Sequence, residues 1–121
     1  MKRTNESIRQ KRVAALLKEE LANLFLSFFQ DQKENFITIT HVFVSKDLKT
    51  AEIYLSIFQH QKEHEIIRRL NVKAGFFRKA IASKVQLKYN PMLIFRLDPV
   101  FSDRERIDRI IEQLKNDGKT D

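Results

Sequence analysis

The sequence predicts a single α+β domain in which helices pack on a small sheet. Three observations support this class: hydrophobic residues recur with helical and with strand-like periods in turn, 121 residues suit one domain, and no repeat, low-complexity tract or linker divides the chain. The predicted order is α-β-β-α-α-β-α, with a three-stranded sheet packed against the helices. We expect the domain to span residues 1–121, with a core over about 5–115 and a short polar tail over 116–121.

The first helix is predicted over about residues 7–29. Ser7 and Gln10 have the spacing of a capping box, in which each side chain bonds the backbone N–H of the other residue. Apolar residues then recur at three- and four-residue steps and form one stripe. The stripe consists of Val13, Leu16, Leu17, Leu21, Leu24, Phe25 and Phe28.

Residues 36–44 and 51–57 predict two strands joined as a β-hairpin. The connection contains Ser45 and Asp47, whose side chains can bond the local backbone in a turn. In the first strand the alternation predicts one face with Ile37, Ile39 and Phe43 and the other with Thr38, Thr40 and Val42. In the second strand the apolar face consists of Ala51, Ile53, Leu55 and Ile57.

Two short helices, about 62–72 and 75–86, are predicted with a kink at Ala74 and Gly75. A glycine suits this position because a backbone without Cβ can turn without a clash. The inward residues are Ile66, Ile67, Leu70, Phe77, Ala80, Ile81 and Val85. Residues 91–98 are nearly all apolar, which predicts a third strand that is central or well covered. A second capping box, Ser102 and Glu105, predicts a C-terminal helix with Ile107, Ile110, Ile111 and Leu114 on its apolar stripe.

Positive charge is concentrated in two segments. The chain carries a net +7 with a pI of about 9.8, a balance typical of domains that bind polyanions. Residues 2–12 hold five basic residues against one acidic residue, and residues 62–88 hold eight against two. We predict that the second segment, with the first as a secondary patch, contacts RNA phosphates. The predicted RNA-binding residues are Arg68, Arg69, Lys73, Arg78, Lys79, Lys84, Lys88, Lys2, Arg3, Arg9 and Arg12.

Enzyme classes find little support in the sequence. The absence of cysteine removes thiolate nucleophiles and cysteine zinc sites, and the two glycines, Gly75 and Gly118, lie too far apart for a phosphate-binding loop. His60, Glu63 and His64 match a zinc-hydrolase pattern, but they lie in a polar stretch where chance spacing of exposed side chains explains them better. We therefore predict no catalytic residue, no metal and no cofactor, and a metal hydrolase is the weaker alternative.

A second alternative is a protein-interaction adaptor whose basic faces meet acidic partners. Nuclease treatment distinguishes this hypothesis from RNA binding, because an adaptor stays in its complex after RNA is digested. The apolar stretch after the basic N-terminus contains Lys18, Glu19 and Glu20, which do not suit a signal peptide, so we expect a cytoplasmic protein. We expect neither a membrane partner nor a small-molecule substrate, and we expect a monomer.

Several short stretches, taken in order, resemble the ribosome-binding factor A family. They are Arg12-Val-Ala, Ile37-Thr-Ile-Thr, Val42-x-Val-Ser-x-Asp-Leu48, Ala51-x-Ile-Tyr-x-Ser56, Ala74-Gly-Phe-Phe-Arg-Lys79, Lys88-Tyr-Asn-Pro91-x-Leu, Phe95-x-x-Asp98 and Arg106-Ile107. The similarity covers roughly residues 3–115, and the order and spacing of the stretches make it specific.

The resemblance implies a KH-like domain of type II topology, in which a helix–kink–helix replaces the GxxG element. It also implies a bacterial, cytoplasmic, non-enzymatic factor that binds the small (30S) ribosomal subunit late in assembly. Such a factor assists maturation of 16S rRNA and is linked to growth in the cold. The family kink is commonly Ala-x-Gly, whereas Lys73 holds the first position here.

Overall fold

The computed structural model describes residues 5–28, 37–57, 62–100 and 111–115, and it confirms the α+β class. The elements are α1 (Ile8–Phe28), β1 (Ile37–Val44), β2 (Thr50–Ile57), α2 (Glu63–Val72), α3 (Ala74–Lys84) and β3 (Met92–Leu97). Residues 111–115 are also helical, and their side chains are exposed. The predicted capping box of Ser102 and Glu105, with Ile107 and Ile110, lies outside the described residues.

The three strands form one sheet in the order β1-β2-β3. β1 pairs with β2 in antiparallel fashion, as the hairpin prediction requires, and β3 pairs with β2 in parallel. β3 is therefore an edge strand of the described sheet and not a central one. The strand is apolar because one of its faces packs against α2 and α3, where Leu93 and Phe95 are buried. Met92 is exposed.

The predicted faces of β1 are wrong beyond Ile39. The pairing register shifts between Ile39 and His41, so Thr40 forms a β-bulge and the later residues change face. Val42 joins Ile39 in the core, and Phe43 turns to the opposite face. The bulge directs the Thr40 hydroxyl to Asp98 Oδ2 at 2.5 Å, across the sheet from β1 to the end of β3.

The start of α1 is fixed by the predicted capping box. Ser7 N–H donates to Gln10 Oε1 at 2.8 Å, and Gln10 N–H donates to Ser7 Oγ at 3.1 Å. Gln10 is also 96% buried, and its Nε2 donates to the backbone carbonyl of Val44 at 2.8 Å. One side chain therefore caps the helix and attaches its first turn to the end of β1.

Aromatic rings fill the core between α1, α3 and β3. Phe77 is fully buried, and its ring centroid lies 5.5 Å from that of Phe25, 5.3 Å from that of Phe28 and 5.8 Å from that of Phe95. The interplanar angles are steep, the arrangement that aromatic quadrupoles favour. Phe76, which the sequence places off the inward face of α3, is 56% exposed.

Candidate nucleic-acid interface

The predicted RNA-binding residues that the structure describes all have exposed side chains. These are Arg9, Arg12, Arg68, Arg69, Lys73, Arg78, Lys79, Lys84 and Lys88. Lys2 and Arg3 lie outside the described residues. Exposure is a precondition for phosphate contact, and the geometry around each side chain sorts these residues into different roles.

The first group surrounds the break between α2 and α3, which we call the elbow (residues 68–79). Lys73 separates the two helices with φ −92° and ψ 8°, and its N–H bonds the carbonyls of Arg69 and Asn71. A cavity of about 420 Å³ beside it is lined by Phe28, Arg68, Arg69, Val72 and Lys73. The elbow therefore combines an apolar recess with three cations.

Gly75 does not supply the backbone freedom that the sequence suggested. The break is at Lys73, and Ala74 and Gly75 already belong to the first turn of α3. No described glycine has a positive φ, and a Cβ built on Gly75 meets nothing within 4 Å. The chain bends at Lys73 with an ordinary L-residue conformation. The lysine that departs from the family pattern is thus the bend residue itself.

Asn71 holds the elbow against the sheet. Its Nδ2 donates to the Phe95 carbonyl at 2.9 Å, and the Phe95 N–H donates to its Oδ1 at 2.8 Å. The side-chain amide in this way occupies both backbone groups of an edge-strand residue. The last turn of α2 is fixed on β3, which sets where the cations of the elbow project.

Arg78 has a structural role that its exposure does not reveal. Its Nε and Nη2 donate to the Asn90 carbonyl at 2.9 and 2.7 Å, and Asn90 Nδ2 lies 3.4 Å from the Arg78 carbonyl. The guanidinium therefore clamps the connection between α3 and β3. Lys79 and Lys84 form no such bond among the described residues, so they are the freer cations of α3.

The second group forms a groove in which the two basic segments meet. A cavity of about 290 Å³ lies between α1, the hairpin turn and the α3–β3 connection. We call it the groove, and its lining residues are Arg9, Arg12, Val13, Leu48, Gln86, Leu87, Lys88 and Tyr89. Arg9, Arg12 and Val13 project from one face of α1 because they are three and four residues apart.

The hairpin turn that forms one wall of the groove is tightly bonded. Leu48 has a φ of 64°, in the left-handed region, and its side chain is 93% buried. The Ser45 hydroxyl and the Lys49 N–H donate to Asp47 Oδ1 at 2.6 and 3.0 Å. These bonds hold the pKa of the Asp47 carboxyl below its ordinary value, because they stabilise the ionised form. The turn predicted from Ser45 and Asp47 is confirmed.

Tyr89 is the site residue that the sequence argument missed. Its side chain is 40% exposed, and the Nζ atoms of Lys88 and Lys49 lie 5.6 and 5.9 Å from its ring centroid. An aromatic residue next to a lysine, in a connection ended by a proline, was a signal available in the sequence. The proximity of Lys49 and α1 was not, because it depends on the folded hairpin.

The histidine pattern shows no metal site in the described part of the chain. His60 lies outside it, His64 is 89% exposed, and its Nε2 is 4.0 Å from Glu63 Oε1. No group of three His, Asp or Glu side chains is close enough to hold a metal among the described residues. Within the same ranges, no helix is both long and apolar enough to cross a membrane.

Comparison with known proteins adds to this geometry. The family model of ribosome-binding factor A matches residues 9–111. The chain is 35% identical over 114 residues to ribosome-binding factor A from Syntrophus aciditrophicus, which covers 93% of each protein.

Two sets of coordinates for a Thermus thermophilus protein share the fold. The crystal structure of ribosome-binding factor A from Thermus thermophilus superimposes with a TM-score of 0.63 at 25% identity and covers 73% of this chain and 94% of that one. A homology model of Thermus thermophilus ribosome binding factor A, fitted into the cryo-EM map of a 30S complex, has a TM-score of 0.57 at 22% identity and covers 76% of this chain and 93% of that one.

Proposed function

This chain belongs to the ribosome-binding factor A family, and from that premise we propose that it binds the small (30S) ribosomal subunit through rRNA phosphates. The Thermus thermophilus factor is described in complex with 30S, which supports the same partner for this chain. We further propose that it acts late in assembly, assists maturation of 16S rRNA and supports growth in the cold.

The observation that carries the proposal is the meeting of the two basic segments in one groove. Arg9 and Arg12 are far from Lys88 in the sequence, yet all three line one cavity. None of the three forms an ion pair with another described residue, so their charge faces solvent. Cations left without carboxylate partners attract a polyanion and release its counterions on binding.

The proposed mode of action is binding without bond chemistry. Phosphate contacts position a protein on folded RNA but read little sequence, so recognition rests on the shape of the rRNA surface. The family name denotes a binding factor, which supports a role in binding and not in bond chemistry. We propose in addition that the protein is cytoplasmic and monomeric and needs no cofactor or metal.

Co-sedimentation with purified 30S subunits over a range of salt concentrations tests the proposal. Arg12→Glu with Lys88→Glu should weaken binding about tenfold and flatten its salt dependence, because phosphate contacts in the groove are lost. Arg78 is left unchanged because its reversal would also release the α3–β3 connection. The matched control is Lys18→Glu with Lys115→Glu, which changes the net charge equally at exposed helical sites.

Equal loss in both double variants would show that only net charge matters and would refute the site. Retention of the protein in its complex after nuclease digestion would favour the adaptor alternative. Complementation tests the proposed roles in 16S rRNA maturation and in growth in the cold. The chain should restore both in bacteria that lack their own ribosome-binding factor A. Normal binding without such restoration would refute the maturation role alone.

A further inference from the structure

We infer that the groove binds one unpaired RNA nucleotide, with its base stacked on Tyr89 and its phosphates held by Arg9, Arg12 and Lys88. The inference rests on the proposed function, since it names how that surface contacts RNA. The base-binding site is additional to the phosphate contacts of the same surface.

The size of the groove suits a single nucleotide. Its volume of about 290 Å³ lies at the lower end of cavities that hold small molecules. A duplex presents its bases only at groove edges, so a recess of this kind is reached by a base that has left the stack. Single-stranded loops and bulges of folded RNA present such bases.

The chemistry of the lining matches the two parts of a nucleotide. Val13, Leu48 and Leu87 give an apolar floor for a flat base. Arg9, Arg12 and Lys88 line the same cavity and have exposed side chains, so their cations can reach the phosphates on either side of the base. The nearby carboxyl of Asp47 opposes an anion, but its Oδ1 is already bonded to Ser45 and Lys49 in the turn.

Tyr89 supplies the stacking surface. With 40% of the side chain exposed and two ammonium groups within 6 Å of the ring centroid, the ring is accessible and its environment is cationic. Cation–π contacts at exposed sites are weak, so a base can replace a lysine over the ring. The displaced ammonium of Lys88 or Lys49 then remains close enough to pair with the phosphate of the bound nucleotide.

The walls of the groove are fixed before binding. Gln10 holds α1 on the end of β1 through the Val44 carbonyl, and Arg78 holds the α3–β3 connection through the Asn90 carbonyl. The Met92 N–H donates to the backbone carbonyl of Lys49 at 2.8 Å, and this bond attaches the hairpin turn to β3. A preorganised site loses little conformational entropy when a nucleotide enters.

The test uses fluorescence anisotropy of a labelled uridine heptamer and of an abasic oligomer with the same length and charge. The wild-type chain should bind the uridine heptamer about tenfold more tightly, in line with the usual contribution of one base stacked on an aromatic side chain. Tyr89→Ala should abolish that preference, and Tyr89→Phe should retain it because the ring remains. Thermal unfolding of both variants checks that the fold is unchanged.

Salt dependence separates stacking from phosphate contact. Tyr89→Ala should weaken uridine binding by the same factor at every salt concentration, because it removes no charge. Arg12→Ala should reduce the slope of log affinity against log salt by about 0.7, the value for one phosphate of a single strand. Lys18→Ala, an exposed lysine on the same helix and outside the groove, is the control and should change neither quantity.

Equal affinity of the wild-type chain for the uridine and abasic oligomers, or a full preference in Tyr89→Ala, would overturn the inference. If wild-type protein still sediments with 30S subunits in that case, the proposed function stands without a base-binding groove. If wild-type protein does not sediment with 30S subunits, the proposed function itself is refuted. Equal competition by a glutamate-rich peptide would assign the groove to a protein partner and would also overturn the inference.

Discussion

The elbow and the groove are both cationic recesses, but they are built differently. In the elbow, Arg68, Arg69 and Lys73 are neighbours in sequence and follow one helix to its break. In the groove, α1, the hairpin turn and the α3–β3 connection each contribute residues. The cations of the elbow could therefore be predicted from the sequence, although Phe28 of α1 joins the recess only on folding. The groove as a whole appears only when three distant segments fold together.

The two regions also differ in how side chains fix them. The elbow is attached to the sheet by Asn71 and by the ring of Phe77 behind it. The groove depends on Gln10 and Arg78, two polar side chains that bond backbone carbonyls of other elements. Core substitutions should thus affect the elbow through packing, and polar substitutions should affect the groove through lost hydrogen bonds.

The largest effect is expected for Phe77→Ala. Removing a fully buried ring from contact with Phe25 and Phe95 should lower the free energy of unfolding by about 4 kcal/mol. Phe76→Ala removes the same ring from a 56% exposed position and should cost less than about 1 kcal/mol. Urea denaturation of both variants measures the difference, and similar losses would contradict the described packing of α3.

Gln10→Ala should have the second largest effect and should act on the groove. It removes a buried donor to the Val44 carbonyl and half of the capping box, for a loss of about 2 kcal/mol. Ser7→Ala, which removes only the other half of the box, should cost about 1 kcal/mol. Thermal unfolding ranks the two, and the opposite ranking would show that Gln10 does not anchor α1 to the sheet.

Arg78→Lys keeps the charge and tests the clamp on the α3–β3 connection. A lysine cannot reproduce the two N–H groups that donate to the Asn90 carbonyl, so the free energy of unfolding should fall by about 1 kcal/mol. Binding of the uridine heptamer should weaken a few-fold, although the substituted residue does not line the groove. Lys79→Arg, an exposed charge-preserving change one residue away, is the control. Wild-type behaviour of Arg78→Lys in both measurements would assign the residue a purely electrostatic role.

Features set by local sequence were predictable. The capping box of α1, the hairpin, the turn at Asp47 and the two short helices each depend on residues that are close along the chain. The faces of β1 were not, because the bulge at Thr40 depends on how β1 pairs with β2 and occurs where Thr40 meets Asp98, which lies 58 residues further along the chain. The edge position of β3 was hidden for a related reason, since cover by α2 and α3 also selects apolar residues.

The candidate site divides in the same way. Charge and helical spacing predicted which cations are exposed, because a solvated face needs no distant partner. They did not separate Arg78 from Lys79, because the bond of Arg78 to Asn90 is visible only when the connection has folded back on α3. The adjacency of Lys88 and Tyr89 was visible in the sequence, but the groove beside Tyr89 was not, because Lys49 and α1 reach it only in the folded chain.

Gly75→Ala should change the free energy of unfolding least, and it should raise this free energy where the other substitutions lower it. Gly75 has a helical position without positive φ, and the added methyl group meets nothing within 4 Å. Alanine should therefore stabilise the protein by about 0.5 kcal/mol, because it restricts the unfolded chain at no cost to the folded one.

The same variant also compares the elbow with the groove. Stacking in the groove should be unchanged, and 30S binding should be unchanged if rRNA meets only side chains at the elbow. A stabilised Gly75→Ala protein that binds 30S less tightly would show instead that rRNA approaches the backbone of α3 at this residue. The glycine would then serve a close approach of RNA to the helix and not a turn of the chain.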